Sequence, residues 1–207
     1  MTDLSEKKPS RIQTRNRRLI LDAALDVFSR DGYGGATLDA IASGAGLSKP
    51  NLLYYFDSKK EIYVTLLSQL LETWLDPLVE LDPDGDPVEE LLGYVRLKLD
   101  MALELPAESR LFAGEMLQGA PRLAEYLKDD LKPLFDTKCK AIQDWIDAGR
   151  LAHVDPAHLI FTIWSTTQHY ADFGAQVSVL LENSDPAQRA HKHLEQLFRR
   201  LLQPVNH

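Results

Sequence analysis

The chain has little of what secreted proteins and most enzymes rely on. Its 207 residues hold a single cysteine, Cys139, which excludes an internal disulfide and any metal site built from several thiolates of one chain. That usage suits a reducing cytosol, and Cys139 reads as a small core residue. No apolar run approaches the roughly 18 residues of a membrane-spanning helix, and the basic start with Lys7, Lys8 and Arg11 is followed by no apolar signal core. A cytoplasmic location is therefore expected. There is no glycine-rich phosphate loop and no GxSxG elbow, and no i, i+4 pair occurs among His153, His158, His169, His191 and His193. Neither Glu115 nor Asp172 has a companion that would mark it as a catalytic acid. The expectation is a protein without enzymatic activity, cofactor or metal.

Strand-like runs, internal repeats and low-complexity blocks are missing too, so apolar spacing predicts an all-α chain of about nine helices. The first spans about 14–30, with Leu19, Ile20, Ala23, Ala24, Val27 and Phe28 as its stripe and Gly32 as its C-cap. Ser58 opens a long helix with Ile62, Leu66, Leu70 and Trp74 that runs to about Asp76-Pro77. Further helices are expected over 87–104, 106–117, 121–149 with a kink at Pro133, 155–181 and 185–202. Net charge is −8, but it is unevenly distributed: residues 1–62 carry 10 basic and 8 acidic side chains, against 13 and 23 in the remainder. Acidity thus belongs to the second part and does not oppose an anionic partner for the first. The reading is a basic arm over 1–12, disordered by itself, a helical domain over 13–60 and an acidic helical domain over 61–207.

The stretch 37–59, TLDAIASGAGLSKPNLLYYFDSK, organises the first part. Thr37 can cap a short helix bearing Leu38, Ile41, Ala42 and Ala45, and Gly44 and Gly46 bracket a tight turn. Ser48 can cap a second helix with Lys49 and Pro50 in its first turn and Leu52, Leu53 and Phe56 facing inward. Two short helices across a glycine turn make a helix-turn-helix, whose second helix can enter the major groove. The spacing of Thr37, Ile41-Ala42, Ala45-Gly46-Leu47-Ser48, Phe56 and Lys59 resembles the DNA-binding domain of the TetR family of bacterial repressors. Leu53 departs from the pattern, because most members carry a phosphate-contacting tyrosine there. Lys49 and Asn51, on the second helix, are the candidates for contacts with base edges. Phosphate contacts are expected from Thr37, Tyr54, Tyr55 and Lys59, with Ser48 a further DNA-binding candidate and Arg11, Arg15, Arg17 and Arg18 adding contacts from the arm.

Taken together, the segments SKPNLLYYF, TWLDPL, YVRLKL, SRLFAGEMLQGAP and IWSTTQHYADFGAQV resemble the pyrimidine-responsive members of that family, over about residues 12–182. This implies a homodimer, a palindromic double-stranded operator and a free base such as uracil or thymine as effector. A planar base needs aromatic faces and matched donors and acceptors, since an unmet polar edge costs on the order of 1–3 kcal/mol. Trp74 and Trp164 can supply faces and Gln168 both an amide donor and an acceptor. Lys98, Arg96, Ser165 and His169 are the further polar candidates, with Phe112 and Met116 as packing. A multidrug-type sensor with another effector is the alternative, and three methionines give its plasticity little support.

Overall fold

A computed structural model describes residues 10–182 and 185–204, and within them every regular element is helical. Ten helices follow in order: α1 (Arg11–Gly35), α2 (Leu38–Gly44), α3 (Lys49–Leu53), α4 (Lys59–Val79), α5 (Pro87–Glu104) and α6 (Pro106–Leu117). Next is α7, a continuous run of Ala124–Tyr126, a π-helical turn Leu127–Leu131 and Lys132–Asp147. The last three are α8 (Pro156–Asp172), α9 (Gly174–Leu181) and α10 (Pro186–Leu202). Two compact units meet between Leu67 and Ser68. No described helix is long and apolar enough to cross a membrane.

Most helix starts follow from caps legible in the chain. Thr37, Ser48, Asp86, Asp155 and Asp185 each accept a backbone N–H of the first turn that follows, and proline occupies that turn in α3, α5, α8 and α10. The first helix opens earlier than its apolar stripe suggests, because Ser10 and Gln13 form a reciprocal capping box that starts it at Arg11. Arg11 and Ile12, expected in a disordered arm, are thus helical; residues 1–9 of that arm lie outside the described residues.

Three departures have physical causes. Helix α4 continues through Pro77 to Val79, tolerating a single missing N–H near its end. Just ahead of Pro133, where a kink is expected, the helix takes a π-helical turn whose wider spacing accommodates the i→i−4 bond that proline cannot make. The helix expected over 155–181 is two helices, since Phe173 (φ −112°, ψ 25°) breaks the run ahead of Gly174.

In the first unit Ile20, Ala24, Val27 and Phe28 of α1 are buried together with Ile41, Leu52, Phe56 and Ile62. A Cβ on Gly44 would lie 3.1 Å from that of Ala23, so glycine there permits close approach of α2 to α1. Gly46, at φ +68°, makes the turn into α3. In the second unit α5 lies against α8 and α10, and α6 and α7 also pack on α8. Their shared core includes Leu91, Leu92, Val95, Leu99, Ile142, Trp145, Ile160, Ile163, Leu194 and Phe198. Cys139 packs half-buried against this core.

Candidate DNA-binding and effector sites

Helices α2 and α3 form the helix-turn-helix. The Thr37 hydroxyl accepts the Ala40 N–H at 3.1 Å and the Ser48 hydroxyl that of Asn51 at 3.4 Å, which uses oxygen lone pairs and leaves both O–H groups able to donate. Lys49 and Asn51 stand exposed on α3, with the Lys49 ammonium 2.9 Å from Asp39 on α2. Tyr54 is exposed and meets Tyr55 edge to face at 5.1 Å. Leu53, expected to face inward, is 39% exposed at the end of α3.

Two cations expected at phosphates are engaged within the domain. Lys59 donates to the carbonyls of Tyr33 and Ala36 at 2.8 and 2.7 Å, with its ammonium 4.6 Å from the Tyr33 ring centroid. It thereby clamps the turn between α1 and α2. Arg17 donates to the Tyr55 carbonyl at 2.6 Å and lies over the Phe56 ring at 4.1 Å. Beside it Asn16 donates to the Tyr55 hydroxyl at 2.8 Å. Helix α1 is thus fastened to the chain just beyond α3, a role sequence spacing alone did not assign to either residue. A Lys59→Met variant should lower the melting temperature, because both bonds to the turn disappear at about 1 kcal/mol each. An unchanged melting temperature would free Lys59 for a role on DNA alone.

In the second unit, Trp74, Lys98, Phe112, Trp164 and Gln168 from α4, α5, α6 and α8 line one cavity of about 60 Å³, closed by Leu71, Leu75 and Leu131. That is room for a few waters. Phe112 packs edge-on against Trp74 at 5.5 Å. The Trp164 indole N–H is already committed to the Tyr94 hydroxyl at 2.6 Å, so this tryptophan has its ring, not a donor, to offer. Burial holds the Tyr94 phenol well above its ordinary pKa. Tyr94, one turn before Lys98, is a supporting residue that its regular apolar spacing did not distinguish from ordinary core.

Lys98 is the unusual group. It is 6% exposed, sits 5.4 Å from the Trp74 ring centroid, and among the described residues has neither a counter-ion nor a hydrogen-bond acceptor. Desolvation lowers its pKa to about 8. Gln168 likewise has no side-chain partner among the described residues.

The other four effector candidates fall elsewhere. Arg96 pairs with Glu195 at 3.7 Å, half exposed, because it points away from the face that Lys98 shares with the core. Ser165 and His169 lie one residue round α8 from Trp164 and Gln168 and line a separate, open concavity with Thr166, Tyr170, His193, Leu194 and Leu197. His169 stacks on Phe173 at 5.0 Å. Met116 is not among the cavity residues. Among the described residues no three His, Cys, Asp or Glu side chains converge as a metal would require.

A helix-turn-helix joined to a helical domain with an internal cavity is the architecture of a one-component transcriptional regulator. Comparison with known proteins assigns the family. Residues 20–66 match the model of bacterial regulatory proteins of the tetR family, and residues 67–205 match the C-terminal region of YcdC-like proteins. The chain belongs to the TetR family of transcriptional regulators and is not an enzyme. It is 49% identical to the HTH-type transcriptional regulator RutR of Escherichia coli over 173 residues, 84% of this chain and 82% of that protein. The biofilm-operon negative regulator IcaR of Staphylococcus epidermidis is 32% identical over 76 residues, 37% of this chain and 41% of its own. Among solved structures, a transcriptional regulator from Streptomyces coelicolor superposes with a TM-score of 0.72 at 24% identity, covering 92% of this chain and 99% of its own. AibR in complex with isovaleryl coenzyme A and operator DNA superposes at 0.70 with 15% identity, covering 88% and 97%. These structural likenesses concern the fold.

Proposed function

We propose that this regulator is a cytoplasmic homodimer that represses genes of pyrimidine metabolism and leaves its operator when a pyrimidine base such as uracil or thymine binds. The observation that carries the reading is that the Lys98 ammonium, with no counter-ion or hydrogen-bond acceptor among the described residues, and the Gln168 amide, with no side-chain partner among them, line one cavity walled by Trp74, Trp164 and Phe112. A pyrimidine dione presents two carbonyls flanking an N–H. The Gln168 amide can accept from that N–H and donate to one carbonyl, while Lys98 donates to the other. Cytosine presents an amino donor where one carbonyl would stand, and two facing donors repel. Calorimetric titration with uracil, using cytosine and a purine as controls, tests this. Saturable binding of uracil alone, near one per subunit, is expected; no heat at several temperatures together with an unshifted melting temperature would return the effector to another class of small molecule.

On DNA, the dimer would set its two α3 helices in successive major grooves about 34 Å apart on a palindromic operator. Lys49 and Asn51 read base edges, while Thr37, Ser48, Tyr54 and Tyr55 position the reader on phosphates. Operator and effector oppose each other by linkage, so a ligand preferring the DNA-free conformation tenfold supplies roughly 1.4 kcal/mol. Lys49→Ala should relax sequence preference by about 1–3 kcal/mol at the base it reads, measured on a panel of operator variants. A uniform loss across the panel would instead place Lys49 on the backbone.

A further inference from the structure

Lys98 poses a charge problem that the chain itself does not solve. Burial of an ionised group is costly unless an opposite charge and hydrogen-bond acceptors accompany it. This ammonium is buried, and among the described residues it has neither. Desolvation alone lowers its pKa, so no neighbouring carboxylate acts on it. The Trp74 ring face at 5.4 Å gives only a partial offset. The same group lines the cavity of about 60 Å³ together with Gln168, whose amide brings N–H donors with no side-chain partner among the described residues. Every other lining side chain is aliphatic or aromatic, and the Trp164 N–H is already spent on the Tyr94 hydroxyl. A cation and an amide therefore face a small enclosed space that supplies no negative charge.

We propose that this cavity binds a small monovalent inorganic anion, of which chloride is the type, between the Lys98 ammonium and the Gln168 amide, and that the effector must displace it. Size favours such an ion, because a halide is little larger than a water, whose share of the liquid is about 30 Å³. Charge favours it too. One ammonium neutralises one negative charge, whereas a sulfate or phosphate dianion would carry a surplus into walls formed by Leu71, Leu75, Leu131 and Phe112. Water can solvate the ammonium but cannot neutralise it. The anion site stands on the cavity alone; its displacement by effector rests on the pyrimidine reading. An effector then gains only the difference between its own contacts with Lys98 and those of the ion, so the anion level sets how much effector releases the operator.

The test compares the full-length protein in sodium chloride and in sodium gluconate of equal concentration, gluconate being too large for the cavity. Chloride at about ten times its dissociation constant should raise the melting temperature by about 3–6 °C over gluconate in a chain of this size. Lys98→Met should remain folded and lose that difference, and Gln168→Leu should reduce it. The line width of the chloride magnetic resonance signal gives a readout that needs no unfolding: the wild type should broaden it and Lys98→Met should not. Equal melting temperatures of the wild type in the two salts, or a chloride effect of the same size in Lys98→Met, would overturn the proposal. Added uracil should narrow the line again, and its apparent dissociation constant should be about tenfold higher in chloride than in gluconate. A Lys98-dependent chloride effect with no uracil binding would uphold the anion site and overturn the pyrimidine reading. Uracil binding of equal strength in both salts would overturn displacement while leaving that reading in place.

Discussion

Replacing Lys98 with methionine is expected to stabilise the ligand-free protein while abolishing its response to effector. Methionine matches the length of the lysine stem and suits the apolar walls formed by Leu71, Leu75 and Trp74. The native ammonium sits among them 6% exposed, with only the Trp74 ring face at 5.4 Å to offset its desolvation among the described residues. Its pKa falls from 10.5 to about 8, so the folded protein sheds this proton earlier than the unfolded chain does. Below about pH 8 both states are protonated and the full desolvation cost falls on the folded one. Between about 8 and 10.5 the unfolded state binds more protons, so stability rises with pH across that window. The cost carried at pH 7 is on the order of 3 kcal/mol. Urea unfolding at pH 7 and pH 10 should therefore show the variant ahead at the lower pH and the gap narrowing at the higher. A variant no more stable than wild type at pH 7 would show that the ammonium is already compensated. A bound carbonyl would supply the missing acceptor, so effector affinity should weaken as pH rises past about 8.

The opposite sign is expected at Glu115. Its carboxylate is fully buried, accepting the Arg122 backbone N–H at 2.7 Å and the Arg122 guanidinium at 2.8 Å. It thus ties the end of α6 to the turn in which Gly119 and Ala120 adopt φ 85° and 52°. Glu115→Ala removes the acceptor for both donors and opens a void, and breaking a buried pair from one side costs about 3–5 kcal/mol. Arg122, 21% exposed, can recover some solvation, which places the loss near the lower end. Glu115→Gln keeps an oxygen for the backbone N–H and should cost markedly less. Thermal unfolding and amide exchange over 118–122 report both effects, and equal losses from Gln and Ala would assign the stabilisation to charge alone.

The same comparison of environments explains what the chain disclosed in advance. Caps and prolines announce themselves because their effects are local: Ser48 with Pro50, Asp86 with Pro87 and Asp185 with Pro186 all open helices where the spacing placed them. The cavity was legible through Trp74, Lys98, Phe112, Trp164 and Gln168 because aromatic faces beside amide and ammonium groups serve little purpose in an ordinary core. What escaped was direction. On α8, Ser165 and His169 are one residue from Trp164 and Gln168, and that rotation of about 100° moves them to another surface. Lys59 and Arg17 look like free surface cations in the sequence; only the folded chain brings Tyr33, Ala36 and Tyr55 carbonyls to them. Likewise, proline 133 signals a disturbed helix without saying whether the backbone answers by bending or by widening its turn.

The distribution of indoles has an optical consequence. Of the three tryptophans, Trp74 and Trp164 line the cavity, while Trp145 lies outside it with its N–H bound to the Pro83 carbonyl at 2.7 Å. Two of the molecule's three strong ultraviolet emitters therefore stand where a guest would stack, and one has a cation 5.4 Å from its ring. The protein carries its own fluorophores at the point of occupancy, so its native emission follows the cavity without a label.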